Sequence, residues 1–291
     1  MDNESKVKIL KNKLQILITI IFLAFVIWWI TFQHIVTKQG LVTQWFSGTY
    51  GVMAFLGSIV GLVASKKWGG YKTVVGKALL FFSLGLLAQE AGQLILAYYV
   101  DVSKIQIPYP SWGDVAYFGS TLFYICGGFF LTKAVGVKYA LKSGKYKAFA
   151  VLLPIILLSA SYWVFLHHHQ YDWHRPITVF FDLGYPLGDA IYISLALLAY
   201  FLSRKLLGGI MRIGMLILII ALVAQYAADW TFLYQSNRGT WLSGGYDDLF
   251  YLIAYFIMTT ALIKLLSVYK GLQGKPQVKS GENNDPAESE A

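Results

Sequence analysis

Five polar side chains sit where an apolar chain accommodates them least. Gln89, Glu90 and Gln93 lie in one long apolar run, and Gln225 and Asp229 lie in another. Each run carries two polar residues four positions apart, which puts both on one face of a helix. A charged carboxyl near the middle of a membrane span costs at least about 2.5 kcal/mol unless it is paired or hydrated, so these groups must face protein or water. The chemistry they offer is that of a proton or cation site. The structural alternative is a hydrogen-bonded clamp between helices, worth about 0.6 kcal/mol per contact. No basic residue falls at matching depth in the sequence, so compensation has to come from a proton, from Tyr or Gln donors, or from a bound cation.

Three aspartates form a second set. Asp114, Asp189 and Asp248 are each followed three residues later by a tyrosine: Tyr117, Tyr192 and Tyr251. Each aspartate is expected to begin an inward-running helix, where a carboxylate accepts free backbone N–H groups and complements the positive end of the helix dipole. Grouped at one end of a bundle, the three would also form an acidic vestibule attracting a cation. The two sets are linked by an internal echo that matches Gln89 with Gln225, Gln93 with Asp229, Asp114 with Asp248 and Tyr117 with Tyr251. Tyr185-Pro186-Leu187-Gly188-Asp189 reads as a third member. The candidate ligand- or ion-binding residues are therefore Gln89, Glu90, Gln93, Asp114, Asp189, Gln225, Asp229 and Asp248; no catalytic, cofactor-binding or metal-ligating residue is assigned.

The elements that must position these residues are membrane helices. A chain of 291 residues that is 57% hydrophobic and only 13% charged has too little polar surface for a soluble domain of its size. At roughly 20 apolar residues per span, the sequence divides into eight helices near 14–35, 46–65, 78–99, 115–134, 148–166, 187–205, 211–235 and 248–268. The expected fold is all-α, a polytopic integral membrane protein with its eight transmembrane helices arranged as tandem helix-pair repeats. Residues 1–13 form a basic amino-terminal segment, 14–270 the membrane domain and 271–291 a polar tail expected to be disordered. The first apolar run lacks a small-residue cleavage site and reads as a retained helix. With the amino terminus inside, twenty of the 24 Lys and Arg fall on the cytoplasmic side, leaving Lys38, Lys104, Arg175 and Arg238 outside. Orientation thus accounts for the net charge of +9, and no nucleic-acid partner is needed. The expected location is the cell inner (plasma) membrane, multi-pass, with both termini cytoplasmic.

The outer loops carry Tyr109, Trp112, Tyr171, Trp173, Trp241 and Tyr246, rings that suit a membrane interface or a ligand-contacting surface. His167-His168-His169-Gln170-Tyr171-Asp172-Trp173-His174 brings imidazoles beside a carboxylate, but consecutive histidines cannot all converge on one ion. The lone Cys126 offers no disulfide or redox pair. Gly-x-Ser-x-Gly, His-Glu-x-x-His, Walker and Gly-x-Gly-x-x-Gly motifs are all absent from the sequence, so no enzyme is expected and no cofactor is implied. A ceramidase-like hydrolase would need histidines within its helices, and a rhodopsin would need a lysine at mid-span where Lys264 lies near the cytoplasmic end.

The run Pro110-Ser111-Trp112-Gly113-Asp114-Val115-Ala116-Tyr117, then Tyr185-Pro186-Leu187-Gly188-Asp189, then Ala228-Asp229 with Asp247-Asp248-Leu249-Phe250-Tyr251 carries a family likeness. Over residues 78–268 the chain resembles the multi-helix membrane module found ahead of the catalytic domains of bacterial GGDEF/EAL-type signalling proteins, the diguanylate cyclases and phosphodiesterases. The resemblance implies a sensory role without a specified ligand. Nothing after Lys270 is long enough for a catalytic output domain, so signalling is expected to pass to a separate cytoplasmic signalling protein, with the lipid bilayer as the other partner. The functional expectation is a sensor-like or ligand-binding module with an outward-facing acidic pocket. A proton-coupled transporter of ions or small molecules is the alternative, motivated by the internal echo, by Glu90 and by the glycines Gly51, Gly57 and Gly61.

Overall fold

The computed structural model describes residues 3–35, 40–136, 144–167, 171–206 and 211–273. The described residues are all-helical and supply eight helical spans long and apolar enough to cross a membrane. In chain order the helices are α1 (Asn3–Ile35), α2 (Leu41–Thr49), α3 (Val52–Lys67), α4 (Val74–Ala97), α5 (Trp112–Ala134), α6 (Gly144–Ser161), α7 (Pro176–Leu206), α8 (Met211–Asn237) and α9 (Tyr246–Gln273). Together α2 and α3 make one span, while π-helical turns at Tyr98–Val102 and Tyr162–Leu166 extend α4 and α6. The tail expected to be disordered lies, from residue 274 onward, outside the described residues.

Local chemistry explains the starts of the helices. Thr73 is extended and its hydroxyl accepts the Gly76 N–H at 3.0 Å, capping α4. Ser111 does the same for Asp114 at 3.3 Å, and the Asp114 carboxylate accepts the Ser111 N–H at 2.7 Å, a reciprocal capping box that starts α5. Proline opens α7 at Pro176, where its fixed φ suits the first turn and its missing N–H would have had no partner. This start corrects the expectation of a helix beginning near 187. The helix runs straight through Pro186. Asp189 is consequently not a capping residue but lies deep within α7.

Six spans close into a ring, in which α3 packs on α4, α4 on α5, α5 on α7, α7 on α8, α8 on α9 and α9 back on α3. The other two spans stand outside it, α1 against α9 and α6 against α7. Only 11% of the most apolar stretch of α1 and 17% of that of α6 is buried, against 39–56% for the ring helices. Their remaining apolar surface, including Ile16, Ile20 and Ile27 on α1 and Val151 and Ile156 on α6, faces outward, as lipid contact requires. The seam of α4 against α5 is close-packed. A Cβ on Gly92 would meet the Tyr117 ring at 2.8 Å and one on Gly85 would meet the Tyr124 ring at 2.3 Å, so both glycines make room for an aromatic side chain of α5. Gly57 on α3 serves Thr259 of α9 in the same way, at 2.3 Å. Packing thus gives the glycines of α3 a role that needs no moving part.

Candidate functional site

The helix ends at 101–111, 165–166 and 236–248 surround a cavity of about 560 Å³ that runs into the ring. Its walls are helix stripes. On α7 the lining residues are Asp182, Tyr185, Pro186 and Asp189, and on α8 they are Asp229, Phe232, Leu233 and Ser236. Both sets have the i, i+3, i+4, i+7 spacing of a single helix face.

Two hydrogen-bonded layers hold the walls. On the α4 side, Gln93 Oε1 accepts from Tyr117 at 2.7 Å and from Tyr50 at 3.3 Å, while its amide donates to the Ser47 carbonyl. Gln89 donates to Ser120 at 2.7 Å and accepts from Tyr255 at 2.9 Å. On the α8 side, Asp229 accepts from Tyr192 at 2.6 Å, Tyr251 at 2.9 Å and Gln225 at 3.1 Å. Three donors thus converge on this one carboxyl group. The mouth is built on the loops. Asp248 accepts the Gly244 N–H at 2.7 Å, and Gly244 is held in turn by Trp29 of α1, whose indole donates to its carbonyl at 3.0 Å. The left-handed φ of 76° at Gly244 shapes this loop. Tyr109 donates to Asp182 at 2.6 Å and Arg175 donates to the Tyr109 carbonyl at 2.9 Å. Burial, reinforced by the bond to Asp182, pushes the Tyr109 hydroxyl pKa up, so it stays a donor.

Six of the candidate residues line the cavity: Gln89, Gln93, Asp114, Asp189, Asp229 and Asp248. Two do not. Glu90 points at α3, where a Cβ on Gly51 would come within 2.1 Å of its Oε2, and that oxygen has no hydrogen-bond partner among the described residues. Gln225 is fully buried and braces Asp229 from behind. Asp101, Asp182 and Asp247 line the cavity without having been singled out. The signal for Asp182 was its seven-residue spacing from Asp189, visible once α7 is extended back to Pro176.

Seven aspartates therefore face this space, together with Tyr50, Tyr109, Tyr117, Tyr185, Tyr251 and Tyr255, and the described lining residues include no Lys, Arg or His. Asp189 is the extreme case. It is 2% exposed and neither of its carboxylate oxygens accepts a hydrogen bond among the described residues. No cluster of three or more His, Cys, Asp or Glu suited to a metal ion occurs among the described residues; His168 and His169 of the histidine loop lie outside them. Carboxylates among aromatic faces can bind a cation by charge and by cation–π contact. Searches of protein-family models, of curated proteins and of solved structures each find no match to this chain.

Proposed function

We propose that the protein is a sensor-like, ligand-binding membrane module whose acidic cavity opens to the outside and takes a small cationic molecule. The carrying observation is a cavity of about 560 Å³ that is lined by seven aspartates and, among its described lining residues, by no base. Its volume lies in the range of small-molecule sites. Orientation follows from charge: Lys66, Lys67, Lys72, Lys77, Lys133 and Arg212 gather at the opposite end of the helices, which the positive-inside rule puts in the cytoplasm. That distribution supports cytoplasmic termini and a cell inner membrane. The α4–α5 and α8–α9 pairs carry the same tyrosine bond, Tyr117 to Gln93 and Tyr251 to Asp229, which supports tandem helix pairs as the plan of the bundle. The likeness to membrane modules of signalling proteins adds a separate cytoplasmic signalling protein as the receiver. Transport is the second reading, favoured by Glu90, whose Oε2 is turned toward Gly51 with no hydrogen-bond partner among the described residues; coupled uptake of an amine into proteoliposomes would separate it from sensing.

The test uses one cysteine. In a Cys126→Ala background, Ser236→Cys puts a thiol on the cavity wall. With intact cells, a cationic methanethiosulfonate reagent is expected to modify it about tenfold faster than an anionic one, because an acidic cleft concentrates cations. Equal rates, or reaction only after the membrane is opened, would overturn the reading.

A further inference from the structure

Resting on the reading of this cavity as a cation pocket, we propose that its ligand is a linear organic dication, an unbranched diamine or polyamine. One ammonium sits at Asp189 and Asp229, deep in the ring, and the second at Asp182 near the mouth.

The deep seat is defined by the contrast between two carboxyls. Asp229 has its oxygens occupied by Tyr192, Tyr251 and Gln225. Asp189 lies within electrostatic reach of Asp229 across the α7–α8 seam, is buried, lines the cavity, and accepts no hydrogen bond among the described residues. A buried carboxylate without a donor is a costly arrangement. An ammonium cures both defects at once, because it brings three donors and the opposite charge.

The second seat follows from helix geometry. Asp182 and Asp189 are seven residues apart on α7 and both line the cavity, which puts them nearly in register on one face and about 10 Å apart along the axis. Tyr109 fixes the outer carboxylate with a 2.6 Å bond. Between the two lies Tyr185 on the same stripe, while Tyr117 and Tyr251 face the cavity from α5 and α9. With each ammonium about 2.8 Å from its carboxylate, either between the two acids or beside them, the two nitrogens lie about 5–10 Å apart, the span of a chain of about three to seven methylenes. Such a chain would lie along the tyrosine faces. A lone metal ion would fill neither the length of this space nor its aromatic walls, and no metal-type cluster of acids occurs among the described residues.

The full-length protein, purified in detergent, would be titrated by calorimetry at fixed ionic strength with putrescine, cadaverine, butylamine, butanediol, glutamate, sodium and magnesium. The diamines are expected to bind about tenfold or more tighter than butylamine, the gain from a second charge-assisted contact, with butanediol and glutamate inert. Asp189→Asn should abolish amine binding. Asp182→Asn, at a half-buried position near the mouth, should reduce diamine affinity to about that of butylamine. Equal affinity for diamine and monoamine, wild-type binding by both variants, or binding of sodium or magnesium in place of the amines would overturn the proposal. Binding of butanediol or glutamate without the amines would overturn it while leaving the cavity a pocket. If every probe is inert and Ser236→Cys shows no preference for the cationic reagent, the pocket reading falls as well.

Discussion

In the α4–α5 pair a tyrosine hydroxyl donates to an amide, Tyr117 to Gln93 at 2.7 Å; in the α8–α9 pair a tyrosine hydroxyl donates to a carboxylate, Tyr251 to Asp229 at 2.9 Å. The loops agree too, since the Ser111 N–H caps Asp114 and the Gly244 N–H caps Asp248, each at 2.7 Å. What differs is electrical. Gln93 both donates and accepts, and it closes its own account with Ser47, Tyr50 and Tyr117. Asp229 can only accept, and beside it stands Asp189 with no donor among the described residues. The same tyrosine bond thus ends on an amide brace at one wall and on an acid at the other.

The sharpest way to break the comparison is to make the second pair like the first. Asp229→Gln is expected to leave a folded protein and to weaken putrescine binding by about tenfold or more, through loss of one charged partner, as calorimetry would show. Unchanged affinity would mean that the charge at 229 plays no part in the seat.

Packing provides the next difference. Gly92 precedes Gln93 and is filled against by the Tyr117 ring, whereas the matching residue before Asp229 is Ala228, fully buried with its methyl already accommodated. Gly92→Ala should cost about 1–3 kcal/mol by overpacking. Ala228→Gly should cost only about 0.5–1 kcal/mol, through backbone freedom. Denaturation of the two variants in the same detergent checks the order, and a silent Gly92→Ala would show that α5 can back away from α4.

The smallest effect separates the two glutamines. Gln89 makes two side-chain bonds, to Ser120 and Tyr255, while Gln225 makes one, to Asp229, and its Oε1 has no partner among the described residues. At about 0.6 kcal/mol per contact, Gln89→Leu should lose about 1 kcal/mol and Gln225→Leu about half of that. The reverse order in melting temperature would mean that Gln225 matters through the charge it braces.

Hydropathy made the spans legible because a bilayer imposes a minimum apolar length. It could not tell ring helices from outer ones, since α1 is as apolar as a span can be and yet touches little except α9 and the start of the second span. The capping roles of Asp114 and Asp248 were readable from Ser111 and Gly244-Gly245 upstream, as local chemistry usually is. Asp189 misled because Tyr-Pro-x-x-Asp looks like a helix start, and ring packing carries α7 straight through the proline. That single boundary also concealed Asp182, which shares a face with Asp189 only when both belong to one helix. Glu90 carried the greatest apparent cost in the sequence, but helix rotation turns it toward Gly51 and away from the cavity; no periodicity fixes which side of a wholly apolar helix its neighbours occupy.

The indole of Trp29 reaches across 215 residues to hold Gly244. During synthesis α1 enters the membrane first and α9, the helix it packs on, enters last among those described. Until α9 arrives, α1 has no large partner, α3 has an open flank, and the Gly244 N–H lacks the Asp248 carboxylate that accepts it. Ring closure is a long-range event whose chain-entropy cost falls at the end of assembly. The acidic cavity is therefore a late product of assembly: no nascent chain that stops short of α9 contains the Asp247, Asp248, Tyr251 and Tyr255 side of its wall.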